Sequence, residues 1–180
     1  LASLLFLLTI NNINPTAINS SDDIVTVNAS YSGTTTATQY LQAVFTKEGQ
    51  SPARYFGLTQ NLDSAWYQYK SSPTLADLNG YFYRFIPSNA SWSGQLTAKM
   101  DMNSEWYKGP GNYILKLFRH VTAGGIESDN SGMVFINVPI PVATSTTAVN
   151  IVSPTIGTDL DNLAYLGEIF KISVSLKDFD

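Results

Sequence analysis

Gly109-Pro110-Gly111-Asn112-Tyr113-Ile114-Leu115-Lys116-Leu117-Phe118-Arg119 is the stretch on which the fold turns. Gly and Pro punctuate a turn, and the turn delivers a tyrosine to the head of an apolar strand. A tyrosine so placed resembles the corner of a two-layered antiparallel sandwich, where the ring packs in the core and the hydroxyl bonds the chain a few residues upstream. The plainer alternative is an ordinary turn before an ordinary strand. No cysteine follows Tyr113, so the inter-sheet disulfide of antibody domains is missing.

Outward from this segment, polarity alternates with period two from Asp22 to Val138. Val25, Val27, Ala29 and Tyr31 alternate with Thr26, Asn28 and Ser30, and Leu96, Ala98, Met100 and Met102 with Gln95, Thr97, Lys99 and Asp101. Further strands are expected at Tyr40–Phe45, Tyr55–Leu58, Trp66–Tyr69, Tyr81–Ile86, Tyr113–Phe118 and Met133–Val138. Only Pro73–Leu78, closed by Asn79 and Gly80, has the composition of a helical turn. One turn cannot supply βαβ crossovers, which sets aside a doubly wound α/β fold. The expected class is all-β, an antiparallel immunoglobulin-like or fibronectin III-like β-sandwich followed by the start of a second similar domain.

The domain plan follows from both ends. Leu1–Ile10 is an apolar run ahead of the polar stretch Asn11–Ser21, so residues 1–19 read as a signal-peptide or membrane-anchor remnant, with a buried strand or helix of the fold as the further alternative. The sandwich is expected over 20–142, a linker and entry over 143–166, and a truncated second repeat over 167–180. That repeat rests on Glu168–Leu176, which matches Asp23–Tyr31 in residue class at every position. Leu1 in place of Met, and a stop soon after a patterned strand, read as a piece of a longer exported chain. Asn19, Asn28 and Asn89 begin Asn-x-Ser triplets, which a chain rich in Asn and Ser also produces by chance.

Tyr40–Gly49 followed by Tyr55–Asn61, then Trp92-Ser93-Gly94 and Lys108–Tyr113, resembles a repeat in large predicted surface proteins of uncultivated bacteria, some of which carry lamin-tail-like domains. The resemblance covers about Ser20 to Val138 and recurs from Gly167. It departs at Ile126–Gly132, where a Trp-Ser-Asn-like stretch is replaced by Glu127-Ser128-Asp129-Asn130-Ser131-Gly132. What it implies is an extracellular immunoglobulin-like repeat, and it brings no active site.

Composition narrows the chemistry. The 180 residues hold 10 Lys and Arg against 14 Asp and Glu, a net charge of −4, with no basic cluster to neutralise phosphates, so nucleic acid is not an expected partner. With 44% hydrophobic residues and only 13% charged, the chain is not a disordered tail. No cysteine means no thiol catalysis, no thiolate metal site and no disulfide, so stability rests on core burial. His120 is the one histidine; beside Arg119 at a strand end it reads as an edge or surface residue rather than a catalytic base. Paired carboxylates suit glycoside hydrolysis, but fourteen scattered acids single out no pair. An enzyme is therefore not expected.

Two sets of binding residues remain. Trp66, Tyr67, Tyr69, Trp92, Trp106 and Tyr107 are candidates for a stacking platform for sugar or protein, or else for core rings that replace a disulfide. A buried aromatic hides about 150 to 250 Å², several kcal/mol at roughly 25 cal/mol per Å². Asp101, Asn103 and Glu105 offer alternate oxygen ligands for calcium, and Asp159 and Asp161, with Asn162, do so near the junction of the two repeats. Solvated loop acids are the alternative, and no other cofactor is implied. The expected function is a non-enzymatic extracellular spacer or adhesion repeat, its partners being other domains of the same chain and a surface protein or polysaccharide. It would touch a membrane only through an uncleaved N-terminal anchor. The rival is a carbohydrate-binding module attached to a secreted enzyme.

Overall fold

The computed structural model of the chain describes residues 7–121 and 129–141. The alternation at Val25–Tyr31 becomes strand β2, Val25–Ser32, in which Val25, Val27, Ala29 and Tyr31 are buried and the residues between them half-buried. A strand that hides every second side chain lies on a core and turns its other face outward. Antiparallel to it run β1, Leu7–Asn14, on one side and β7, Ser91–Lys99, on the other. Two short strands, β4 (Leu58–Gln60) and β5 (Trp66–Gln68), complete a sheet of order β1-β2-β7-β4-β5.

The facing sheet contains β3 (Gln39–Lys47), β6 (Tyr83–Phe85), β8 (Gly111–His120) and β10 (Val134–Val138) in the order β10-β8-β3-β6. A two-residue strand, β9 (Asp129–Asn130), also pairs with β8. Val27, Tyr31 and Leu96 of one sheet and Leu41, Phe45, Tyr113, Leu117 and Ile136 of the other belong to one buried cluster. The described residues therefore form an all-β sandwich with a single helix. None of their helices is long and apolar enough to cross a membrane.

Strand β3 is buried on both faces from Gln39 to Thr46. Leu41, Ala43 and Phe45 belong to the inter-sheet core, so Tyr40, Gln42 and Val44 point the opposite way. That outer face is covered by the chain between β5 and β6, including helix α1, Leu75–Tyr81. Leu78 and Phe82 pack against Tyr40, whose hydroxyl donates to Asn79 Oδ1 at 2.6 Å. Gln42 clasps the Lys70 backbone twice, accepting from its N–H at 2.9 Å and donating to its carbonyl at 3.0 Å.

The helix start differs from the expected Pro73. Thr74 is the N-cap of a capping box: its hydroxyl accepts from Asp77 N–H, and the Asp77 carboxylate accepts from Thr74 N–H. The helix then continues through Asn79 and Gly80 to Tyr81, which takes Tyr81 from the strand expected at Tyr81–Ile86. The Lys70 ammonium donates to Asp77 Oδ1 at 2.6 Å, and this bond with the Thr74 backbone bond lowers the Asp77 pKa to about 2.

The chain changes sheets on both sides of the sandwich. After the cis Asn14–Pro15 bond, residues leaving β1 join the other sheet: Ala17 bridges Asn137 in parallel, Ile18 N–H donates to the Asn137 carbonyl at 2.8 Å, and Asn137 N–H to that of Thr16 at 2.9 Å. Across the molecule, Phe56 exchanges two backbone bonds with Phe45 of β3, at 2.8 and 3.1 Å, before Gly57 turns the chain into β4 of the first sheet. Gly57 has φ +129° and lies so close to Phe45 that a Cβ would stand 2.7 Å from its ring. The Thr59 hydroxyl, accepting from Ala43 N–H at 2.8 Å, fastens β4 to β3.

The strand β1 lies within the residues read as a leader remnant or, in the alternative, as a buried element of the fold. Leu8, Ile13 and Ile18 are buried, and β1 pairs with β2 from Leu7 to Asn14, so the sandwich includes residues upstream of the expected Ser20 boundary. An apolar run looks alike in a leader and in a core strand; here its partners are β2 and β10. The described residues all belong to one compact unit. The linker and second repeat expected over 143–180 lie outside the described residues.

Candidate functional site

Of the two readings of the turn before Tyr113, the structure takes the one in which the hydroxyl bonds the chain upstream. Tyr113 is wholly buried at the head of β8, and its hydroxyl donates to the Gly109 carbonyl at 2.8 Å and accepts from Lys108 N–H at 3.0 Å. Burial raises its phenol pKa. Tyr107 stacks on it at 5.8 Å, and Phe56 meets it edge-on at 6.0 Å. The corner thus consumes Tyr107, one of the candidate platform rings, in packing.

The other candidate rings part company. Trp92 stacks on Phe85 at 4.3 Å at the border of the core and lies over Gly94, where a side chain would collide with the indole. On β5, adjacent residues point to opposite faces. Trp66 lies under the Lys99 ammonium at 5.0 Å, whereas Tyr67 stacks on Tyr81 of α1 at 4.5 Å. No single platform joins all six.

Tyr69 and Trp106 both line a cleft of about 440 Å³ that is also lined by Tyr55, Gln68, Asp101 and Asn103. Local bonds set each wall. Tyr69 N–H donates to the Gly57 carbonyl at 2.9 Å, and its ring meets Tyr55 and Phe118 edge-on at 6.3 and 6.0 Å. Between β7 and β8, Asp101 Oδ1 accepts from Asn103 N–H at 3.1 Å and the Asp101 carbonyl from Ser104 N–H at 3.1 Å. The Ser104 hydroxyl then accepts from Trp106 backbone N–H at 3.3 Å, and the half-buried tryptophan packs against the core cluster. Gln68 Nε2 donates to Asp101 Oδ2 at 3.3 Å and links the walls. Arg54 and Lys108, both exposed, lie over the Trp106 ring at 4.8 and 5.9 Å.

The calcium candidates divide in the same way. Asp101 and Asn103 line the cleft. Glu105 is exposed, and its carbonyl accepts from the Lys108 ammonium at 2.8 Å. Asp159 and Asp161 lie outside the described residues. Among those described, no three His, Asp or Glu side chains gather as a metal-binding group. Gln68 and Tyr55 are cleft residues that sequence reasoning passed over; their partners stand tens of positions away, as with Gln68 and Asp101, and no local pattern marks them.

His120 is corrected from surface to interior. It is 1% exposed, its Nε2 lies 3.1 Å from Gln42 Nε2, and Phe82 meets its ring edge-on at 5.4 Å. The cover over β3 extends to this end of β8, which the strand pattern alone does not reveal.

No protein-family model matches the chain, and no curated protein is similar to it at a significant level. Among solved structures, it is similar to part of the β-glucosidase EmGH1 from Erythrobacter marinus, with 12% identity and a TM-score of 0.40 over 76% of this chain and 16% of that one. It is also similar to part of the Pseudomonas fluorescens alkylpurine DNA glycosylase AlkC, with 9% identity and a TM-score of 0.39 over 75% of this chain and 30% of that one. The chain therefore spans under a third of either protein.

Proposed function

We propose that this chain is a non-enzymatic extracellular module of immunoglobulin-like type, a spacer or adhesion unit in a longer surface protein. One observation carries the reading: residues at Ala17 run parallel to Asn137 of the last described strand. Chain entering along the first and leaving along the second does so at opposite ends of the sandwich, which is what stringing modules in a row requires. The strand order supports the type. With the edge strands β5 and β6 set aside, β1-β2-β7-β4 facing β10-β8-β3 follows the order of the A-B-E-D and G-F-C sheets of immunoglobulin-like domains, in which Tyr113 would stand at the start of strand F.

Stability in such a module comes from its buried aliphatic and aromatic side chains, since the chain has no cysteine. An antibody raised against the sandwich should label intact cells, and the complete reading frame should hold further copies of Tyr40–Gly49 and Lys108–Tyr113. Labelling only after lysis, or a single copy flanked by enzyme domains, refutes the spacer. The second outcome favours the rival carbohydrate-binding module, for which the cleft beside Trp106 is the specific observation.

A further inference from the structure

We infer that the cleft lined by Tyr69 and Trp106 binds a neutral, hydroxyl-rich ligand, a short run of polysaccharide. Its volume of about 440 Å³ lies inside the roughly 300 to 1,000 Å³ typical of small-ligand sites. Tyr55, Tyr69 and Trp106 supply aromatic rings to its lining, and the polar groups beside them include donors and acceptors together. The amides of Gln68 and Asn103 offer both kinds of atom. Asp101 uses one lone pair on Asn103 N–H and one on Gln68 Nε2, which leaves about two of its four for incoming hydroxyls. Vicinal hydroxyls of a sugar match such paired planar groups, and its C–H faces match the rings.

Charge narrows the ligand class. No lysine or arginine lines the cleft itself and its one charged lining residue is Asp101, which disfavours a phosphate or carboxylate there; the cations nearest it, Arg54 and Lys108, are engaged over the Trp106 ring. Arg54 and Lys108 lie over the Trp106 ring and both are exposed, so a sugar stacking in their place displaces a surface side chain, while the indole stays packed against the core. The walls are already set by the Tyr69 to Gly57 bond and by the two turns after Asp101. Little ordering is left to binding.

This assignment rests on the module's being outside the cell, where polysaccharide is met. Hexasaccharides of cellulose, xylan, mannan and chitin are titrated into the chain by calorimetry, with tryptophan fluorescence in parallel. At least one should bind with a dissociation constant below about 1 mM. Gln68→Ala and Asn103→Ala, both at exposed positions, should each weaken it about tenfold; Trp106→Ala should abolish it, and Trp66→Phe, outside the cleft, should leave it unchanged. Circular dichroism confirms that each variant is folded, and the two exposed substitutions decide the matter if Trp106→Ala is not. Folded protein that binds none of the four, binding indifferent to Gln68 and Asn103, or calcium alone titrating a site that needs Asp101 while no glycan binds, overturns the assignment. A folded protein blind to glycans leaves the spacer standing; a cytoplasmic location removes the spacer and leaves any measured affinity intact.

Discussion

Replacing Tyr113 by Phe removes one oxygen and leaves the ring. The lost hydroxyl joins two backbone groups of the preceding turn, the Gly109 carbonyl at 2.8 Å and Lys108 N–H at 3.0 Å. The contacts with Phe56 and Tyr107, and the Lys47 ammonium 4.5 Å above the ring, stay in place. At about 0.5 to 1.5 kcal/mol net per hydrogen bond, the substitution should cost about 1 to 3 kcal/mol, toward the lower end if water reaches the freed groups. Tyr113→Ala also empties the ring's site and should cost at least about 3 to 5 kcal/mol. Urea unfolding of the three proteins, compared at a common slope, measures both. If Tyr113→Phe lies within about 0.3 kcal/mol of the parent while Tyr113→Ala is strongly destabilised, the ring packs but the hydroxyl fastens nothing, and the corner argument fails.

Gly57→Ala forces a side chain onto a backbone at φ +129° and against the Phe45 ring, and should lower stability by about 2 to 4 kcal/mol in the same assay; a neutral result would mean that the turn between sheets is not constrained there. Because the folded Asp77 pKa is depressed to about 2, its contribution is present above the ordinary carboxylate range near 3.8 and fades as pH falls toward 2. Asp77→Asn should therefore flatten the parent's loss of stability in that window, and parallel curves would contradict it. Tyr113 and Tyr83 have raised pKa values through burial, so the stability tied to them is present below pH 10 and lost as pH climbs through the folded values. Tyr113→Phe should blunt the alkaline fall. Gln42→Ala frees the Lys70 backbone, and amide exchange in α1 should quicken at least about tenfold while β2 and β7 hold; equal rates would show that Gln42 is not what secures the cover.

What was legible in the sequence was what depends on neighbours along the chain. Period two placed β2 and β7, and a Gly-Pro-Gly turn before a tyrosine placed β8 and its corner. The helix position followed from a short local pattern, though its start answered to the Thr74–Asp77 box rather than to Pro73. Less legible was anything set across the chain. β3 shows no polar face because α1 and its flanks cover it, so Gln42 and His120 are buried with each other rather than in water. Gln39 and Arg119 are buried as well, the guanidinium donating to Gln39 Oε1 and lying over Tyr31 at 5.1 Å. For β1, apolarity identified a segment that leaves water but not what it enters. In the cleft, Trp106, Tyr69 and Asp101 stood out by residue type, but their union with Gln68 exists only once β5 and the β7–β8 turn are side by side.

The crossing of residues 16–18 onto β10 has a mechanical consequence. A tug that draws the two ends of the described chain apart slides this parallel pair lengthwise. The bonds from Ile18 to Asn137 and from Asn137 to Thr16, at 2.8 and 2.9 Å, then share the load and must give way together, as a lap joint does, whereas an antiparallel hairpin pulled from its open end opens like a zip.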